Sequence, residues 1–116
     1  MEFDELTVVL LLTPADPPKL DEEAAGALQD RHLAYLAKLH EAGQLVAAGP
    51  LIDPASRLRG LSLFRGNVEQ TRALAERDPA VQAGVFAIEV VPWMVPGGAL
   101  AYYGTRFPHS RADVDS

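Results

Sequence analysis

The sequence predicts an α+β domain of the ferredoxin-like type, with elements in the order β-α-β-β-α-β. Three observations predict this fold: a short apolar strand near the N-terminus, two amphipathic helices with distinct start and stop signals, and strand-like segments around the second helix. Both helices would cover one face of a four-stranded antiparallel sheet. The 116 residues are enough for one such domain and too few for two.

The first strand is predicted over residues 5–13, ELTVVLLLT, because β-branched and leucine residues dominate it and the proline-rich PADPP follows. Both alternating faces of this strand are apolar. One face carries Leu6, Val8, Leu10 and Leu12, and the other carries Val9 and Leu11. The helices cover only one face, so the second needs another cover. We therefore predict a homodimer that packs sheet against sheet as a dimeric α+β barrel.

The first helix is predicted from Asp21 to about Ala42. Asp21 is a favourable N-cap and is followed by two glutamates, whose charge suits the first turn. Gly43, directly after the helix, is typical of a left-handed C-terminal cap. The second strand is then predicted over residues 44–52, QLVAAGPLI, and the third over residues 58–65, LRGLSLFR.

A capping-box pattern of Asn67 and Gln70 predicts the start of the second helix. The helix is expected to end by Asp78, because Pro79 disfavours helical geometry in the residue before it. A short connection then leads to a fourth strand over residues 85–93, VFAIEVVPW.

The last part of the chain is interpreted as an extension of the domain. The domain is predicted over residues 1–95 and the C-terminal extension over residues 96–116. PGG at 96–98 indicates a hinge, ALAYY at 99–103 is compatible with a short added strand, and the final residues have the composition of a frayed end. The extension either closes over the cleft of a partner subunit or stays loosely ordered.

Composition excludes several classes of function. The formal net charge of −6 repels phosphate backbones and no basic stripe offsets it, so nucleic-acid binding is not expected. The longest apolar run, Val8 to Leu12, is too short to span a bilayer. The acidic N-terminus lacks the basic region of a secretory signal, and we expect a cytoplasmic protein.

Metal and cofactor chemistry is not expected either. The chain contains no cysteine, which excludes disulfides, thiolate nucleophiles and cysteine zinc sites. His32, His40 and His109 lack the spacing of metal ligands. No nucleophile elbow, phosphate loop or dinucleotide fingerprint occurs, so the sequence indicates no cofactor.

A histidine lies where the first helix should present an apolar face. At about 100° per residue, His32 falls inside the apolar stripe and His40 falls near its edge. The other members of the stripe are Ala24, Ala25, Leu28, Tyr35, Leu36, Leu39 and Ala42. A buried imidazole needs partners, because an unsatisfied polar group costs about 1–3 kcal/mol. His32 is therefore either a core histidine satisfied by backbone or water, or an imidazole that lines a pocket and moves protons.

Asp78 is the second candidate for chemistry. Its predicted place at the C-terminal end of the second helix is unfavourable for a carboxylate, because the helix dipole is negative there. A carboxylate held in that place could orient or charge a histidine. The alternative is a turn aspartate that bonds its own backbone. The sequence alone does not place Asp78 within reach of His32.

The second and third strands carry two further patterns. Arg57, Arg59 and Arg65 alternate on or beside the third strand, and we interpret them as a solvated face rather than an anion clamp. Gly49 and Pro50 lie inside the second strand pattern and indicate an edge strand or a close backbone approach, because proline cannot donate to a sheet ladder. Such a local distortion leaves room for a small ligand.

Two segments, HLAYLAKLHEAGQLVAAGPLID and ALAERDPAVQAGVFAIEVVPW, resemble the YciI-like (YCII-related) family. In that family a histidine on the first helix, a Gly-Pro in the second strand, and an Asp-Pro followed by Ala-Gly recur in this order. The likeness covers residues 5–93. It implies a dimeric α+β barrel with a His–Asp active-site pair, whose matching positions are His32 and Asp78.

The resemblance also bears on the substrate. The strand motif matches Gly49 and Pro50, and we expect these residues and Arg31 to contact the substrate. The family is similar to a chlorohydroxyquinol dehydrochlorinase, which implies proton-transfer elimination on a small aromatic or enolisable compound. Some relatives carry a hydroxyl residue before Ala-Gly-Pro, where this chain has Ala47.

Three functions are compatible with these residues. The leading hypothesis is a cofactor-free lyase or isomerase in which His32 is the general acid or base and Asp78 fixes its tautomer. The second is a homodimer that binds a small molecule without converting it. The third is a structural dimer with a satisfied core histidine. If function rather than packing keeps His32 inside, His32→Leu is expected to stabilise the core.

Overall fold

The computed structural model describes residues 1–116 and contains four strands and four helical segments. In chain order they are β1 (Phe3–Leu12), α1 (Glu22–Glu41), β2 (Leu45–Pro50), β3 (Leu58–Phe64), α2 (Val68–Glu76), α3 (Pro79–Gln82), β4 (Ala87–Pro96) and α4 (Arg111–Val114). The strands form one antiparallel sheet in the order β2-β3-β1-β4. The prediction of a ferredoxin-like α+β fold is confirmed. The short segments α3 and α4 were not predicted.

β1 is a central strand of the sheet. It pairs with β4 along its whole length, from Phe3 opposite Pro96 to Leu12 opposite Ala87, and with β3 on its other side. The side of the sheet that faces the helices carries the core. The core cluster consists of Val9, Leu11, Leu39, Leu45, Phe64 and Ala75. Burial of this apolar face fixes α1 and α2 on one side of the sheet.

The opposite face of the sheet has no helix over it. Three exposed apolar residues pair across strands with outward-facing residues of β1. They are Leu61, Val91 and Trp93, which are 42%, 43% and 47% exposed. Residues paired across strands point to the same side, so these three side chains form one apolar surface. The second apolar face of β1, recognised in the sequence, is therefore uncovered within one chain.

The local signals at the helix ends are confirmed. Asp21 caps α1, and its Oδ1 accepts a hydrogen bond from the Ala24 amide at 2.7 Å. Gly43 follows the helix with a φ of 78°, in the left-handed region that favours glycine. Asn67 and Gln70 form the predicted capping box at the start of α2. None of the helices has the length and apolar character needed to cross a bilayer.

The connection after α2 differs from the prediction. α2 ends at Glu76, and Asp78 is the N-cap of the separate short helix α3. The prediction that Asp78 occupies an unfavourable helix end is therefore wrong. Its Oδ1 accepts a hydrogen bond from the Ala80 amide at 2.9 Å, which is the favourable role of an aspartate at an N-cap. Pro79 suits the first helical position, because its missing N–H would have no partner there.

The C-terminal segment, residues 97–116, packs against α1. The added strand expected over residues 99–103 does not form, and the end expected to fray contains α4. Arg111 donates three hydrogen bonds to the Asp30 carboxylate, from its backbone N at 2.9 Å, Nε at 3.0 Å and Nη2 at 3.2 Å. These two residues anchor the segment to the helix.

The anchor has a defined dependence on pH. Hydrogen bonds from Arg111 lower the pKa of the Asp30 carboxyl below its ordinary value of 3.8. Because the folded-state pKa is the lower one, the stabilisation is complete above pH 3.8 and is lost as the pH falls through the folded value. Both groups lie at the surface, so the contribution is screened by salt.

Aromatic residues of the C-terminal segment cover the end of α1. The Phe107 ring stacks on the His40 imidazole with centroids 4.0 Å apart and planes 9° apart. The Tyr102 hydroxyl donates to the His40 carbonyl oxygen. His40 is only 2% exposed, because this aromatic cover buries a residue that the helix angle places near the boundary of the apolar stripe. The angle of a residue around its helix does not show whether residues far along the chain cover its side chain.

Gly26 gives a test of the anchor. A methyl group on Gly26 would overlap the Arg111 guanidinium, which lies against α1 at this point. We predict that Gly26→Ala displaces Arg111 and loosens the C-terminal segment, while alanine adds about 1 kcal/mol of helix propensity. Trypsin cleavage after Arg106 should become several-fold faster, with no loss in the free energy of unfolding.

Gly104→Ala is the matched control, because a methyl group there meets nothing within 4 Å. Equal cleavage rates in all three proteins would contradict the anchor.

Candidate active site

A cavity of about 640 Å³ opens between α1, the β2–β3 side of the sheet and the C-terminal segment. Its volume lies within the range of about 300–1,000 Å³ that is typical of small-molecule pockets. Its apolar walls include Leu33, Leu36, Phe86 and Phe107. Its polar lining includes His32, Arg59, Ser62, Arg111 and Asp115. Few polar groups in a largely apolar cavity are typical of a site that orients a ligand.

His32 and Asp78 are joined by a hydrogen bond in this region. His32 Nδ1 and Asp78 Oδ2 are 2.7 Å apart, and the residues are 6% and 3% exposed. α1 directs His32 toward the sheet, and the start of α3 directs Asp78 toward α1. The fold thus brings together two side chains that are 46 positions apart in the sequence.

The geometry determines what each ring nitrogen can do. An ionised carboxylate only accepts hydrogen bonds, so His32 Nδ1 must donate to Asp78 and Nε2 carries the lone pair in the neutral ring. Nε2 makes no hydrogen bond within the chain and is not among the fully enclosed polar atoms. His32 lines the cavity, so this lone pair is available to a ligand. A carboxylate that orients an imidazole in this way can also stabilise the imidazolium.

Asp78 is itself held in place from two directions. Its Oδ2 contacts His32, and its Oδ1 accepts the Ala80 amide hydrogen bond that begins α3. The Phe86 ring lies 5.7 Å from the His32 ring at an angle of 58° and packs beside the imidazole. The pair is therefore oriented by packing and by backbone, as a pre-organised acid–base pair requires.

The other residues predicted to bind substrate divide into two groups. Gly49 and Pro50 line the cavity at the end of β2. Arg31 is exposed on α1 and is not part of the cavity lining. Ala47 is also exposed, whereas Ser62, paired with Ala48 on the neighbouring strand, brings a hydroxyl to the cavity.

Two features of the site were missed by sequence reasoning. Arg59 belongs to the cavity lining, so its interpretation as part of a solvated face is wrong, although Arg57 and Arg65 are exposed. The C-terminal segment closes the cleft of its own chain through Phe107 and neighbouring residues, whereas the sequence suggested a partner's cleft or a loosely ordered end. Neither feature has a local signal, because both depend on where the β2–β3 connection and the C-terminal segment fold back.

No three His, Asp or Glu side chains of the chain lie close enough together to hold a metal ion.

The structure is a ferredoxin-like α+β protein with a buried His–Asp pair beside an open cavity. Residues 7–94 match the model of the YCII-related domain. The chain therefore belongs to the YCII-related family, and the resemblance noted in the sequence is confirmed.

Particular relatives support this assignment. The chain is 35% identical over 68 residues to the protein YciI of Escherichia coli O6:H1, an alignment that covers 52% of this chain and 69% of that protein. The protein YciI of Shigella flexneri matches with the same identity and coverage.

A solved structure shares the fold. It is 5-chloro-2-hydroxyhydroquinone dehydrochlorinase from Burkholderia phenoliruptrix AC1100 in complex with 2,5-dihydroxybenzoquinone. The TM-score is 0.50 and the sequence identity is 22%, with coverage of 76% of this chain and 92% of that one. At this identity the similarity shows a common fold.

The buried pair leads to a prediction that reverses the expectation for His32→Leu. Leucine would leave the Asp78 carboxylate buried without its main partner, so we predict a loss of about 3 kcal/mol in the free energy of unfolding. The double variant His32→Leu/Asp78→Asn removes the unpaired charge and should recover part of that loss. Urea unfolding of the three proteins measures both effects. A stabilised His32→Leu protein would show that the pair contributes nothing to folding.

Proposed function

We propose that this protein is a cofactor-free enzyme that catalyses proton-transfer elimination or isomerisation on a small organic molecule. The observation that carries the proposal is the His32 imidazole, whose Nδ1 is bound to Asp78 and whose Nε2 is free at an open cavity. Membership of the YCII-related family and a fold shared with a dehydrochlorinase support the same class of chemistry.

In the proposed mechanism, His32 Nε2 is the general base. It removes a proton from a carbon or hydroxyl of the substrate, and the released electron pair forms a new double bond. In an elimination a leaving group departs with its bonding electrons, and in an isomerisation the imidazolium returns the proton to another atom. Asp78 stabilises the imidazolium and keeps the ring in the required tautomer. Gly49 and Pro50 form part of the wall against which the substrate lies.

Binding without conversion is the second candidate function, and the large apolar share of the cavity lining favours it. The lining contains one further carboxylate, Asp115, which is exposed on the C-terminal segment. A second titratable group in an open pocket is what acid–base catalysis needs, so this residue supports the enzymatic proposal over simple binding.

A direct test is proton transfer on the compound that is bound in the dehydrochlorinase structure. We predict that the protein accelerates exchange of the ring hydrogens of 2,5-dihydroxybenzoquinone in D₂O, followed by NMR. His32→Asn should reduce this rate about 100-fold or more, in line with the usual contribution of a general base. Asp78→Asn should also reduce it, because the amide no longer fixes the tautomer.

His109→Asn serves as the control, since His109 is an exposed histidine whose side chain is 52% accessible and which lies outside the cavity lining. Its exchange rate should equal that of the wild type. If the wild-type protein and His32→Asn exchange the ring hydrogens at the same rate, the acid–base role is wrong.

We also propose that the functional unit is a homodimer formed through the helix-free face of the sheet. The exposed side chains of Leu61, Val91 and Trp93 support this proposal, because exposed apolar side chains grouped on one sheet face mark a site of protein–protein contact. Two copies packed face to face would bury the second apolar side of β1.

Light scattering should therefore report twice the mass of one chain at micromolar concentration. Leu61→Glu, which introduces a charge on this surface, should shift the mass to that of a monomer. Ile52→Glu is the matched control, because Ile52 is 94% exposed but lies beyond the end of β2. A monomeric wild-type protein, or dimers that persist in Leu61→Glu, would contradict this interface.

A further inference from the structure

Arg59 places a positive charge in the lining of the cavity without a counter-ion from the protein. It lines the same cavity as His32, and none of the ion pairs of the structure includes it. Arg111, the other arginine of the lining, is already paired with Asp30. The cavity therefore contains one cation whose charge the chain itself does not compensate.

The orientation of the Arg59 guanidinium is set by the backbone. Nη2 donates to the carbonyl oxygens of Asp53, at 2.8 Å, and Ser56 in the turn between β2 and β3. Nη1 makes no hydrogen bond within the chain, and Nε is buried without a partner. Because Nη2 is bound to the backbone and Nε is enclosed by the chain, Nη1 is the donor of this half-buried guanidinium that remains for an anion.

We propose that Arg59 binds an oxyanion of the substrate, so that the cavity selects small planar anions, either carboxylates or phenolates and enolates. This inference rests on the proposed function and adds the substrate class to it. The planar guanidinium matches the geometry of a delocalised oxyanion, and the bond is strengthened by its charge. When His32 removes a proton next to a carbonyl, the same cation would stabilise the negative charge that develops on oxygen.

The other lining residues limit the chemistry of the part of the ligand that carries the anionic group. Phe86 and Phe107 offer flat apolar surfaces, which suit an aromatic or conjugated body. Asp115 contributes a negative charge on the side of the C-terminal segment, which disfavours a second anionic group near it. The expected ligand is thus a small conjugated molecule with one anionic oxygen group directed at Arg59.

Pairs of probes that have similar shapes but different charges test this inference by calorimetry. Benzoate is compared with benzamide, and 4-nitrophenolate with 4-nitroanisole, at a pH where both acids are ionised. The wild type should bind at least one anion about tenfold tighter than its neutral counterpart. The pair that shows this preference distinguishes a carboxylate from a phenolate. Equal affinity within both pairs, or no binding of either anion, would overturn the proposal.

Three variants assign the preference to Arg59. Arg59→Gln should lower the affinity for the preferred anion to that of the neutral probe, with the neutral probe unaffected, and Arg59→Lys should keep part of the preference. Arg57→Gln is the matched control and should behave as the wild type, because Arg57 is exposed and bonds only Thr13. If Arg59→Gln weakens both probes equally, Arg59 merely supports the β2–β3 turn and the inference is wrong.

The outcome also separates this inference from the proposed catalysis. If the anion preference depends on Arg59 but the wild type does not exchange ring hydrogens, the site binds anions and the proposed enzymatic activity is wrong. If exchange of ring hydrogens depends on His32 but proceeds at the same rate in Arg59→Gln, the protein is an enzyme and the proposed oxyanion site is wrong.

Discussion

β1 is apolar on both of its faces, and the positions of the other elements follow from the need to cover them. On one side, Val9 and Leu11 pack under the two long helices, which must therefore cross the sheet on that side. On the other side the surface that contains Leu61, Val91 and Trp93 stays open. Since β1 pairs with both β3 and β4, each strand presents its side chains in register with it. The same constraint thus accounts for the closed core and for the proposed contact between two copies.

The candidate active site is a consequence of where this core stops. Toward the ends of β2 and β3, small residues such as Ala48, Gly49 and Gly60 replace large ones, and the space between sheet and α1 remains open as the cavity. His32 lies at the boundary between the packed core and this space. The imidazole can be buried there because Asp78 forms a hydrogen bond with Nδ1 while Nε2 faces the cavity.

The C-terminal segment gives the cavity its remaining wall and part of its charge pattern. Phe107 contributes to that wall and at the same time covers His40, so one residue links the closure of the cavity to the end of α1. Arg111 forms an ion pair with Asp30, and its guanidinium lies in the space that Gly26 leaves free. Arg59 keeps its charge unpaired, and this asymmetry between the two arginines is the basis for assigning an anionic ligand to the site.

The sequence by itself determined the elements whose causes are local. The caps at Asp21 and Asn67, the glycine after α1 and the alternation of β1 act over a few residues, so the order of strands and helices could be predicted. The inward angle of His32 is also local, because it depends only on the helix period. The tertiary structure alone decided that Asp78 reaches His32, that Arg59 enters the cavity and that the C-terminal segment covers His40. Each of these contacts joins positions far apart in the sequence, and such contacts depend on how the elements pack rather than on the preferences of neighbouring residues.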